Sequence, residues 1–229
     1  MMQKYNVVEI FGPTIQGEGC LIGKKVSFIR FWGCDYRCAF CDTKYAYEEK
    51  NYMKMTVSSI IKKLEKNYTS TVVITGGNPC IYDLTELIKE LKERGFFVCV
   101  ETQGSLFPDW LSLVDLVVIS PKPPSAKTKN FDIKNFGISS RYLLNYIIKP
   151  VVDINNKEDM KWLDKLYEEL GESTLFYIQL CTYKKDNQIS LLKRYRKLVE
   201  YVMKKKDWKE VFVLPQLHSL TWGIKSRGV

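Results

Sequence analysis

Short β-branched and aromatic runs alternate with helix-period segments along most of the chain, and that alternation limits the fold more than any other feature. Residues 6–11, 26–31, 71–75, 96–100, 116–119, 144–149, 174–179 and 211–214 read as strands. Thr56 is a helix N-cap before apolar Val57, Ile60, Ile61 and Leu64, and the helix runs to Lys66. Residues 84–94 place Leu84, Leu87, Ile88 and Leu91 on one helical face, with Gly95 as the stop. Residues 156–170 and 188–205 also read as helices, and 108–113 as a short helical turn. Residues 126–142 show no period and read as a loop with short helical pieces. Strands joined by helices pair in parallel through crossovers, so the class is α/β. The strands suit an incomplete (β/α) barrel with a mostly parallel sheet. No repeat or linker divides the chain, which predicts one domain over residues 1–229.

With 229 residues, 45% of them hydrophobic, the chain can bury a sizeable core. The net charge of +9 invites anionic partners. Its lysines are spread over several helix-like segments (Lys62, Lys63 and Lys66 in one, Lys89 and Lys92 in another), the pattern of solvated helix faces rather than of a nucleic-acid surface. No apolar run approaches the ~18 residues of a membrane span. Met1-Met2-Gln3-Lys4-Tyr5 leads into a strand rather than a signal peptide, so a cytoplasmic protein with no membrane partner is expected. Seven cysteines, an odd number, argue against a disulfide framework. Cys99, within Phe-Phe-Val-Cys-Val, reads as a small buried hydrophobe.

In parallel α/β folds, chemistry gathers beyond the C-terminal strand ends. The unusual residues obey this. Cys34, Cys38 and Cys41 follow strand 26–31, and Thr75-Gly76-Gly77-Asn78-Pro79 follows strand 71–75. Glu101-Thr102-Gln103-Gly104, Ser120-Pro121-Lys122 and Gln179 end three more strands. The cysteines form a C-x₃-C-x₂-C run whose thiolates can face one metal centre. A structural zinc site needs four protein ligands, none follows closely, and the one histidine, His218, is remote. A zinc knuckle with a distant ligand remains an alternative at this point. A cubane held by three cysteines leaves one iron open.

This run, with Phe40 before its last cysteine, resembles the radical S-adenosylmethionine (AdoMet) signature. The resemblance implies a 4Fe–4S cluster on Cys34, Cys38 and Cys41 that cleaves AdoMet, on an incomplete barrel of radical-SAM type. The Gly-Gly turn resembles the superfamily's Gly-Gly-Glu-Pro contact to the AdoMet amino group, with Asn78 in place of the Glu.

Five stretches are similar to the 7-carboxy-7-deazaguanine synthase family: residues 9–19 with Gln-Gly-Glu-Gly, 28–43, 75–79, 120–124 with Ser-Pro-Lys, and 215–223. That resemblance implies a Mg²⁺-dependent radical ring contraction of 6-carboxy-5,6,7,8-tetrahydropterin to 7-carboxy-7-deazaguanine with loss of ammonia. It implies AdoMet contacts at Phe40, Cys41, Asp42, Gly77, Asn78, Ser120, Pro121 and Lys122, with Thr102 and Gln179 nearby. Ile15, Gln16, Gly17 and Glu18 can meet the pterin edge, and Glu18 suits its guanidine-like side. Arg30 can pair with the substrate carboxylate through two hydrogen bonds. Thr75, His218 and the C-terminal Val229 complete the expected substrate shell, and Thr43 offers a hydroxyl to Mg²⁺. A flavodoxin or ferredoxin as electron donor and a homodimer are further implications. Two rivals stay open from the sequence: an activating enzyme of glycyl-radical proteins, and a non-catalytic basic iron–sulfur protein that binds nucleic acid.

Overall fold

In the computed structural model, residues 3–128, 143, 145–171, 174–183 and 185–223 are described. A single ten-stranded sheet organises them. Its strands are β1 (Tyr5–Ile15), β2 (Lys25–Phe31), β3 (Met53–Met55), β4 (Thr71–Gly76), β5 (Phe97–Thr102), β6 (Leu116–Ile119), β7 (Tyr146–Ile148), β8 (Val151–Val152), β9 (Phe176–Leu180) and β10 (Val211–Leu214). The order is β10-β9-β7-β6-β5-β4-β2-β1-β3, with β8 also on β9. Every pair from β2 to β10 is parallel, while β1 runs antiparallel to both β2 and β3. The fold is therefore an α/β incomplete barrel, open at its edges, as the alternation predicts.

The helices are α1 (Tyr45–Glu48), α2 (Val57–Glu65), α3 (Thr85–Glu93), α4 (Lys157–Leu170), α5 (Gln188–Met203) and α6 (Leu217–Trp222). The Thr56 hydroxyl accepts from Ser59 N and starts α2, and the Asn156 side chain accepts from Glu158 N and Asp159 N to start α4. Gly95, at φ +77°, ends α3 in a conformation that costs glycine little.

Apolar stripes of α2 to α5 pack on one sheet face, where Ile60, Leu64, Leu87, Leu91, Leu163, Leu166 and Leu198 join Ile29, Ile74, Val100, Ile119 and Ile178 in one cluster. The inner face holds a smaller cluster of Val26, Phe28, Val73, Cys99, Val118 and Ile147. Each such side chain contributes roughly 1.5–3 kcal/mol when fully buried, so the inner cluster closes the barrel floor.

Several element boundaries differ from the sequence reading. β1 extends to Ile15 because β2 pairs with it as far as Lys25. β5 includes Glu101 and Thr102, which register against Val118 and Ile119 of β6. The strand expected at 144–149 is shorter, and Pro150 separates it from β8. β3, α1 and α6 were not expected: each is too short for a period to show. Most of the loop expected at 126–142 lies outside the described residues.

Candidate active site

Side chains alternate across each strand, so the inner face can be followed upward from the apolar floor. Phe28 is followed by Arg30, Val73 by Thr75, Cys99 by Glu101, Ile147 by Lys149 and Tyr177 by Gln179. One polar layer therefore caps the apolar cluster at the C-terminal strand ends. Register places Arg30 beside Thr75, and β6 ends at Ile119, whose carbonyl accepts from Lys149 N at 2.7 Å.

The cysteine loop crosses this mouth and is anchored on three sides. Asn78 N donates to Gly33 O at 2.8 Å, and Gly77 packs so closely that an added Cβ would meet Gly33 O at 2.1 Å and Cys34 Cβ at 2.7 Å. Gln103 Nε2 donates to Asp35 Oδ1 at 2.7 Å and lies 3.8 Å from Cys34 Sγ. Ala39 N donates to Ala126 O at 2.8 Å, which brings the Ser-Pro-Lys segment alongside. Lys122 Nζ donates to Ser120 Oγ at 3.0 Å. Burial pushes the Cys38 thiol up to about 11, with the Lys122 ammonium pulling against it. All three thiols are free and half-buried. Among the described residues, no three His, Cys, Asp or Glu side chains gather closely enough to hold a single metal ion.

Asn78, fully buried, stands where the superfamily pattern has Glu. Its Nδ2 donates to Asp35 Oδ1 at 2.8 Å and Ser105 Oγ at 3.1 Å. Its Oδ1 accepts from Cys80 N at 3.2 Å and Thr102 Oγ1 at 2.9 Å. Both protons and both lone pairs are thus engaged within the protein.

Across the mouth, residues 16–18 form a corner against the segment that opens α6. Leu217 N donates to Gly17 O at 3.0 Å, and a Cβ on Gly17 would strike His218 Nδ1 at 2.3 Å. Only glycine allows His218 to approach so closely. Gln16 Nε2 donates to Glu101 Oε1 at 3.3 Å, and Thr75 Oγ1 donates to Glu101 Oε2 at 3.3 Å. Gln216 Nε2 donates to Glu18 Oε1 at 2.6 Å. Lys149, 4% exposed, ion-pairs with Glu18 and with Glu101, the latter at 3.1 Å. Burial alone would raise the Glu18 carboxyl; Lys149, His218 and the hydrogen bonds from Lys149 and Gln216 outweigh it and hold the group well below the usual carboxylate range. Burial likewise opposes the charge on Lys149, but the two glutamates raise its pKa well above that of an ordinary lysine.

Of the remaining expected residues, Arg30 donates to Glu9 Oε1 at 2.7 Å, and the Tyr45 hydroxyl donates to the same oxygen at 2.8 Å. Thr43 Oγ1 donates to Asp42 Oδ1 at 2.9 Å and lies 3.8 Å from Cys41 Sγ. Gln179 Nε2 donates to Pro215 O at 2.8 Å, which ties β9 to the 215–218 segment. Val229 lies outside the described residues.

A match to the Radical SAM superfamily covers residues 29–115, from β2 through the cysteine loop to the start of β6. The chain is 38% identical to the 7-carboxy-7-deazaguanine synthase of Bacillus cereus over 100% of both chains. It is 38% identical to the enzyme of that name from Bacillus subtilis, over 97% of this chain and 98% of the other.

The chain belongs to the 7-carboxy-7-deazaguanine synthase family.

Solved structures agree on the fold. QueE from Escherichia coli superposes with a TM-score of 0.72 at 24% identity, covering 94% of this chain and 95% of that one. SuiB from Streptococcus suis, bound to S-adenosylmethionine, gives a TM-score of 0.53 at 15% identity, over 86% of this chain and 48% of its own. As a radical-SAM member of the synthase family, the chain uses a 4Fe–4S cluster and AdoMet. The donor set fits: three half-buried thiols on one loop, none of them in a disulfide, and a cradle at Gly77 too tight for any side chain. Full-length similarity to the synthase family sets aside the glycyl-radical activase and the non-catalytic iron–sulfur reading.

Sequence reasoning placed Glu101 and Gln103 at a strand end facing the mouth and Gln216 in a matched stretch, but gave none of the three a role, and it missed Lys149 as a member of this layer. One signal was available for Lys149. An ionisable residue that ends an apolar parallel strand, here Tyr-Ile-Ile-Lys, points into a barrel mouth.

Proposed function

We propose that the chain catalyses the radical ring contraction of 6-carboxy-5,6,7,8-tetrahydropterin to 7-carboxy-7-deazaguanine, with loss of ammonia, in queuosine or other deazapurine biosynthesis. The observation that carries this reading is the polar layer of Arg30, Thr75, Glu101 and Lys149 beneath the Gln16–Gly17–Glu18 corner, on the same mouth as the cysteine loop. A flat heterocycle with a donor edge and a carboxylate matches a corner that offers a carboxylate at one end and a guanidinium at the other.

When bound, the cluster and AdoMet supply the radical that removes hydrogen from the substrate's C6. Cys34, Cys38 and Cys41 hold the cluster. Phe40, Asp42, Gly77, Asn78, Thr102, Ser120, Pro121, Lys122 and Gln179 border AdoMet. Within that set, Asn78 acts from behind, since its side chain is committed to Asp35, Ser105, Thr102 and Cys80 N. Ile15, Gln16 and Gly17 offer backbone groups, and Glu18 accepts from the guanidine-like edge. Thr75 and His218 hold other polar atoms of the pterin, and Val229 is a further contact at the chain's end. Arg30 meets the substrate carboxylate, with Glu9 and the Tyr45 hydroxyl fixing its guanidinium. Thr43, with substrate oxygens and water, completes the shell of a Mg²⁺ ion. The rest of the reading is a single domain over residues 1–229, working in the cytoplasm as a homodimer with flavodoxin or ferredoxin as electron donor.

Anaerobic incubation of the reconstituted protein with the carboxypterin, AdoMet, reductant and Mg²⁺ tests this directly. Appearance of the deazaguanine chromophore is expected. Formation of 5′-deoxyadenosine without that product would leave the radical chemistry standing and remove the substrate.

A further inference from the structure

Lys149 is buried in the polar layer of the mouth, and its ammonium pairs with Glu18 and Glu101. Its backbone is fixed by the bond from Lys149 N to Ile119 O at 2.7 Å, so the ammonium has little freedom. Its stem passes beneath Gly19, with Cδ 3.5 Å from where a side chain there would begin. The ammonium bridges Glu18, from the corner after β1, and Glu101, from the end of β5. The two carboxylates are held in fixed directions by other bonds as well: Gln216 donates to Glu18 Oε1 at 2.6 Å, while Gln16 and Thr75 each donate to Glu101 at 3.3 Å. Two largely buried carboxylates that share one ammonium repel each other, and without that cation one of them takes up a proton.

We propose that Lys149 is a positioning residue for substrate recognition: its buried ammonium clamps Glu18 and Glu101 side by side, keeping the Glu18 carboxylate ionised and aimed at the guanidine-like edge of the pterin. This rests on the substrate reading given above. Among the described residues, the other charged or titratable groups around the clamp include His218 from α6, Cys20 from the turn after Glu18, Cys99 from β5 and Lys24 before β2. Of these, His218 faces Glu18 and reinforces Lys149 there. Cys20 and Cys99 are thiols that burial keeps protonated, so neither replaces the missing cation nor adds charge near neutral pH.

The test uses cluster-loaded protein with AdoMet and no reductant, so that binding is measured without turnover. Affinity for the carboxypterin is read by calorimetry from pH 5.5 to 8.5 for the wild type, Lys149→Met, Lys149→Arg and the double variant Glu101→Gln/Lys149→Met. Relative to the wild-type profile, Lys149→Met should lose about tenfold in affinity for each pH unit below its new carboxylate pKa. Lys149→Arg, which keeps the cation, should follow the wild type. The double variant, which removes the repulsion but leaves Glu18 buried without its cation, should show a smaller added pH dependence than Lys149→Met, whatever its absolute affinity. A Lys149→Met profile parallel to the wild type overturns the clamp.

A second readout needs no substrate and leaves Lys149 in place. In ¹³C-glutamate-labelled wild-type protein, with the Glu18 signal identified from Glu18→Gln, that carboxylate should stay ionised down to pH 5. Titration of Glu18 between pH 5 and 8 would also overturn the clamp. Wild-type protein that binds no pterin would count against the substrate reading, while the carboxylate titration would still decide the role of Lys149.

Discussion

Asn78 Nδ2 donates to Asp35 Oδ1 at 2.8 Å, so the turn behind β4 grips the residue beside Cys34, the first cysteine of the run. Gln103 Nε2 reaches the same Asp35 oxygen at 2.7 Å, and Thr102 Oγ1 reaches Asn78 Oδ1 at 2.9 Å. The ends of two neighbouring strands therefore share one network under the cysteine loop. Asn suits this place better than the superfamily's Glu because it both donates and accepts, whereas a second carboxylate would face Asp35.

Replacing Asn78 with Ala should destabilise the protein by about 1–3 kcal/mol, because Thr102 and the Cys80 N–H lose a buried partner. Asn78→Glu should be no better, since it brings like charges together in a buried space. Urea unfolding measures the first effect, and iron content after reconstitution measures the loosened loop. An Asn78→Ala protein of unchanged midpoint and full iron content would show that the network is idle.

Gly77→Ala should lower iron content more than its effect on stability would suggest. Its Cβ would collide with Gly33 O and Cys34 Cβ, and neither is the far end of a flexible side chain. The loop must move, at a cost of roughly 1–3 kcal/mol, and it moves at the cysteine that opens the cluster run. Gly23, where an added Cβ meets nothing within 4 Å, is the control for space, though its φ of +83° strains any replacement. Iron per chain and AdoMet cleavage, compared at equal folded fraction, separate the two effects.

Much of this was legible in the chain itself, and the gaps have physical causes. α2 and α3 showed because three turns of apolar spacing and a cap or a stop are local signals. The cysteine run showed because its chemistry is carried within eight residues. Lys149 and Glu18 did not show as partners: they lie 131 positions apart, and only the barrel's register brings them together. Asn78 was expected to contact AdoMet. Its commitment to Asp35 and Thr102 became visible only when β4 and β5 were placed side by side. β8 was hidden for a different reason, since two residues after Pro150 carry no period.

Serine at Cys34, Cys38 or Cys41 should each abolish iron binding and AdoMet cleavage, since the three thiols stand on one loop with no disulfide or other thiol partner. Cys99→Ala and Cys181→Ala should leave iron content unchanged. Cys99 is fully buried in the inner apolar cluster, and Cys181 is 1% exposed beyond β9. Each should cost about 1 kcal/mol through the small cavity left behind. Iron and sulfide analysis of the five variants checks the partition. Loss of cluster in Cys99→Ala at full stability would contradict it.

Acid should weaken the fold through Glu18. Its side chain is largely buried, and its pKa is held below the value of about 4.3 that it has in an unfolded chain. A depressed folded-state pKa contributes stability above the unfolded value, and that contribution is lost as pH falls from there through the folded value. Wild-type protein should therefore lose the Glu18 contribution progressively below pH ~4.3. Glu18→Gln removes the titrating group, though it also leaves Lys149 with a single carboxylate partner. The variant should be the less stable protein at pH 7, and the gap between the two should narrow as pH drops, because protonation removes from the wild type what the substitution has already removed from the variant. Urea midpoints at pH 7, 5, 4 and 3 read this difference. A constant gap would mean that Glu18 contributes through packing and not through its charge.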